Sequence, residues 1–131
     1  MKKNIIILLV ILLTLFTGCA ANYLPEGITK ELLLERTTEI ATLLSHHEYT
    51  GILEMYRADS KEGLTEEKMA DLVGEKTDAL GEFIKVREAI YSEDSQIGQV
   101  VCVILCEYER GTMSLRVIYD DRMNVLGIYS K

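Results

Sequence analysis

The apolar residues of this chain change their spacing at Phe83, and that change restricts the fold more than any other feature. Before Phe83 they recur every three to four residues, as on one face of a helix; after it they alternate, as along a strand. In ITKELLLERTTEIATLLSHHEY, Leu33, Thr37, Ile40, Ala41 and Leu44 share one helix face. A shorter helix is expected in YTGILEMYRA, where Tyr49, Ile52, Leu53 and Tyr56 repeat. A third begins after Thr65, a good N-cap with Glu66 and Glu67 in the first turn, and stops at Gly81. Met69, Leu72, Val73, Lys76 and Leu80 are expected to line one of its faces. Four strands follow: FIKVREAIY, Gln99 to Tyr108, MSLRVIY and VLGIY. Helices first and strands afterwards predict an α+β fold, with N-terminal helices packed on a four-stranded antiparallel sheet.

The middle hairpin can be registered from its alternation. A two-residue turn at Arg110-Gly111 pairs Cys106 with Leu115, Ile104 with Val117 and Cys102 with Tyr119 on an apolar core face. The opposite face carries Val101, Val103, Leu105 and Ile118, more apolar than a solvated face requires, and these are candidate interface residues. In the first strand Ile84, Val86 and Ile90 are expected on one side, with Glu88 on the inward parity.

The amino end constrains location. A basic head, Met1-Lys2-Lys3-Asn4, precedes an apolar run from Ile5 to Phe16 that is too short for a comfortable membrane span, since about 20 apolar residues are needed. This is the form of an export signal. Phe16-Thr17-Gly18-Cys19 resembles the lipobox of bacterial lipoproteins, which implies cleavage before Cys19 and acylation, palmitate included, of that cysteine. Residues 1–18 are then the signal peptide, 19–26 the lipidated cysteine and a short tether, and 27–131 a single domain. Two or more acyl chains anchor stably where one does not. Seven extended residues reach at most about 25 Å, so the domain sits close to the extracytoplasmic face of the membrane.

Loss of the signal reduces 14 basic residues to 12 against 21 acidic ones, a net charge of −9. Such a domain is unsuited to nucleic acid, which demands clustered lysine and arginine. Cys102 and Cys106 lie four apart on one strand face, roughly 13 Å, too far for a mutual disulfide. They read as buried thiols. His46 and His47 are adjacent rather than four apart, which suits the end of a helix better than a metal. No phosphate loop, GxSxG elbow or HExxH stands in the chain, and no metal, cofactor or catalytic residue is assigned.

HHEYTGILEMY, LTEEKMADLV, LGEFIKVREA, VVCVILCEYERGTMSLRVIYDD and VLGIY together resemble a bacterial family known as the domain of unknown function DUF3887, over Ile40 to Tyr129. That resemblance implies the nuclear transport factor 2-like cone, in which helices are wrapped by a curved antiparallel sheet with a pocket at its open end. Tyr56, Glu88, Tyr108 and Tyr119 are the candidate lining of such a pocket. The function expected is a non-catalytic module that binds a small ligand, a second copy or another envelope protein. The alternative is a small pocket enzyme, an isomerase or hydrolase, with Glu88 as its first candidate acid.

Overall fold

The computed structural model describes residues 24–94 and 97–131. The signal segment, Cys19 and most of the tether lie outside the described residues. Helices α1 (Lys30–Ser45) and α2 (Tyr49–Met55) lead to α3 (Glu66–Met69), which runs through a π-helical turn, Ala70–Gly74, into α4 (Glu75–Leu80). Strands β1 (Phe83–Asp94), β2 (Gln99–Tyr108), β3 (Gly111–Tyr119) and β4 (Val125–Ser130) follow. They form one antiparallel sheet in the order β1-β2-β3-β4, not closed into a barrel, with Tyr56 bridging to Val125 on the β4 edge. The fold is therefore α+β, as the change of period requires.

Helix α1 is built as its sequence dictates. Thr29 caps it by accepting a bond from the Leu32 N–H, and its buried residues are Leu33, Thr37, Ile40, Ala41 and Leu44. At its other end His47 adopts φ +58°. The Glu48 N–H then reaches Leu43 O at 2.9 Å and the His47 N–H reaches Leu44 O at 3.2 Å, a Schellman ending with histidine in the place usually taken by glycine. The His47 ring is held by Asp78 on α4, Nε2 to Oδ1 at 2.5 Å.

Thr65 caps α3 through the Lys68 N–H at 3.2 Å. The expected face of this third helix is only partly realised. Met69, Val73, Gly74 and Thr77 are buried, whereas Leu72 is 66% exposed. The π-turn closes i→i+5 bonds, so the chain takes an extra residue in that turn and Leu72 rotates outward.

Two features of the sheet differ from expectation. The middle hairpin turns at Glu109-Arg110, so Tyr108 opposes Gly111, Cys106 opposes Met113, Ile104 opposes Leu115, and Cys102 opposes Val117. The offset is two residues, which preserves both faces but changes every partner. Tertiary contacts select this turn: Arg110 donates to the Asp78, Ala79 and Leu80 carbonyls at the end of α4, while the Glu109 N–H reaches Glu82 O. Strand β1 carries irregularities between Phe83 and Lys85 and between Val86 and Glu88. Each bulge inserts a residue and reverses the parity beyond it. Val86, Ala89 and Tyr91 therefore pack on the core, while Ile84 and Ile90 are exposed. Glu88 is also exposed rather than inward.

Candidate binding groove on the outer sheet face

The face of the sheet turned away from the helices is organised in cross-strand rows. One row runs Ile90, Val103, Arg116, Tyr129 from β1 to β4. A second runs Ser92, Val101, Ile118, Gly127. The third is Glu88, Leu105, Ser114, with Lys131 joined to Ser114 by reciprocal backbone bonds of 2.9 and 3.0 Å. Gly127 presents no side chain beside Ile118, and the Tyr129 ring folds over it: a Cβ on Gly127 would stand 3.0 Å from Tyr129 Cε2.

These rows shape an open groove of about 690 Å³. Val103, Ile118 and the Tyr129 ring supply apolar surface, Ser114 and Ser130 supply hydroxyls, and Arg116 and Lys131 supply charge. The lining side chains include two cations and no carboxylate, imidazole or thiol, in a chain of net charge −7. Apolar surface of this kind can bury an apolar body, and the two cations can offer charge-assisted hydrogen bonds to an anion. Of the candidate interface residues, Val103 and Ile118 line the groove, Val101 is the direct neighbour of Ile118, and Leu105 lies one row away opposite Ser114.

The candidate pocket residues are not brought together. Tyr119 is fully buried, and its hydroxyl shares a 2.7 Å hydrogen bond with Thr37 of α1. Tyr108 is 2% exposed and packs edge-on against Phe83, with ring centroids 5.8 Å apart. Its hydroxyl lacks a conventional hydrogen-bond partner among the described residues. Burial raises the pKa of both phenols. Glu88 belongs to the outer face, where it opposes Leu105. Tyr56 borders a shallow cavity of about 310 Å³ shared with Leu72, Ile128 and Tyr129. Burial first, and then the nearby Tyr129, push its hydroxyl up to about 12. Cys102 and Cys106 are fully buried, and burial pushes the Cys106 thiol up to about 11. These groups remain protonated and poorly nucleophilic at neutral pH.

Sequence reasoning missed Tyr129, Ser130 and Lys131 as partners of this face. The pairing of Val103 with Arg116 was hidden by the two-residue offset, and β4 carries too few residues to register by alternation. Among the described residues no group of three His, Cys, Asp or Glu side chains is arranged to hold a metal ion. Nor is any described helix long and apolar enough to cross a membrane.

Comparison with known proteins agrees with the fold and is silent on chemistry. Residues 37–128 match the profile of a protein of unknown function, DUF3887, and the chain belongs to that family. A protein from Ruminococcus gnavus ATCC 29149, solved by NMR, has the same fold with a TM-score of 0.70. The two are 23% identical, over 82% of this chain and 95% of the other. No curated protein matches.

Proposed function

We propose that this protein is a lipid-anchored, non-catalytic binding module at the extracytoplasmic face of a bacterial membrane. Its groove takes a small molecule with an apolar body and an anionic end. The observation that carries the reading is the groove lining: an apolar floor from Val103, Ile118 and Tyr129, two cations, and no carboxylate, imidazole or thiol side chain. The open sheet with helices against one face is compatible with the nuclear transport factor 2-like class. The usual inner pocket is here occupied by Tyr108 and Tyr119 as core residues, which shifts the available binding surface to the other face. The lipobox-like Phe16-Thr17-Gly18-Cys19 supports anchoring through acyl chains on Cys19, with 1–18 as signal peptide, 19–26 as lipidated tether and 27–131 as the domain.

Decanoate is a suitable probe, having an alkyl chain and one carboxylate. Titration into the full chain in non-ionic detergent should displace the Tyr129 ring signals in NMR spectra. Arg116→Glu, an exposed change, should weaken binding by about tenfold or more, the scale of a charge-assisted contact reversed in sign. Equal binding by the variant, or no displacement in the parent chain, overturns the groove assignment. Native mass spectrometry of the same preparation reads retained ligand and oligomeric state together. A dimer abolished by Arg116→Glu would assign the same face to a second copy of the chain.

A further inference from the structure

A second pocket, of about 390 Å³, lies where the chain enters α1 beside the β3–β4 turn. Its floor is Ile28 and Met123, and two arginines line it, Arg36 from α1 and Arg122 from the turn. Neither guanidinium forms an ion pair among the described residues, although this chain carries 21 acidic side chains. Arg36 is half-buried, and its Nε is closed off from solvent and meets no hydrogen-bond acceptor among the described residues. A buried, charged donor without an acceptor is costly, and native proteins rarely leave one so. Guanidinium donors of this kind are matched to an oxyanion, which they bind through charge-assisted hydrogen bonds.

Glu26 and Asp121 also line it, and they define which oxyanion fits. Two carboxylates close to the site repel a dianion more than a monoanion. A phosphodiester carries a single negative charge spread over two oxygens, which suits a guanidinium fork. We infer that the pocket formed by Arg36 and Arg122 binds a monoanionic phosphodiester. Its position supplies a source. Glu26, at the pocket wall, lies seven residues from Cys19, so lipid headgroups stand within about 25 Å of it, a distance that rests on the lipid-anchored reading above.

The test is independent of acylation. Dimethyl phosphate is titrated into the full chain in non-ionic detergent, and the Arg36 Nε–Hε resonance is followed by NMR. Saturable displacement of that resonance is expected, with inorganic phosphate binding more weakly at a pH where it is a dianion. Arg36→Gln and, separately, Arg122→Gln should each weaken dimethyl phosphate by about tenfold. Arg122 lies on an exposed turn, so its variant keeps the test interpretable if Arg36→Gln perturbs folding. Absence of displacement, or unchanged affinity in the Arg122 variant, overturns the inference while leaving both the groove and the anchor standing. Flotation of a Cys19→Ala chain with vesicles then separates the sources. Recruitment by phosphatidylglycerol that dimethyl phosphate reverses assigns a lipid headgroup. Binding of the small diester without recruitment assigns a free phosphodiester.

Discussion

Asp120 holds the turn between β3 and β4 by itself. Its Oδ1 accepts from the Arg122 and Asn124 N–H groups, each at 2.9 Å, and its Oδ2 accepts from the Asn124 amide at 3.0 Å. Burial acts to raise its pKa, but the bonds from Asn124 and Arg122 and the charge of Arg57 outweigh burial and lower it from 3.8. The unfolded chain therefore takes up the proton first on acidification. Stability from this group is complete above pH 3.8 and is lost as pH falls through the lowered folded value. Asp120→Asn should cost on the order of 1–3 kcal/mol at neutral pH in urea unfolding, because the donors lose their charged acceptor. The difference from the parent should shrink as pH drops below 3.8, and a constant difference would contradict this account. Asp120 and Asp121 are adjacent in the sequence, and which of the two is the buried acceptor depends on how the turn meets Arg57 and Asn124.

At the scale of elements, the joint between α4 and β1 decides the hairpin register. Gly81 ends α4 with φ +81° and ψ −151°, a region nearly restricted to glycine. A Cβ there would stand 2.6 Å from Glu109 Oε2 and 3.3 Å from Arg110 Cζ. Gly81→Ala should destabilise the domain by about 1–3 kcal/mol from backbone strain alone, measured by thermal or urea unfolding. A loss under a few tenths of that would mean that the joint relaxes freely. Gly81 as a helix stop was legible in the chain. Its second role, making room for the Glu109-Arg110 turn, was not, because the two segments are 28 residues apart in sequence. The same limit explains β1. Alternation identified a strand, but the bulges that turn Glu88 outward arise from pairing with β2, which local spacing does not encode.

For the molecule as a whole, the proposed anchoring and the proposed binding are tested separately. Cys19→Ala should abolish incorporation of labelled fatty acid and release the protein from the membrane fraction, with the fold unchanged. Continued labelling would refute acylation at Cys19. The sequence by itself determined the class of fold, the inner and outer faces of β2 and β3, the buried stripe of α1 and the burial of Cys102 and Cys106. All of these follow from period and local hydrogen bonding, which act over a few residues. Only the tertiary structure decided the hairpin partners, the outward turn of Leu72 and Glu88, and the filling of the interior by Tyr108 and Tyr119. It also decided that Val103, Arg116 and Tyr129 share one row. A row is made by three strands at once, and its register is selected where Arg110 meets the end of α4, a contact between segments distant in the chain.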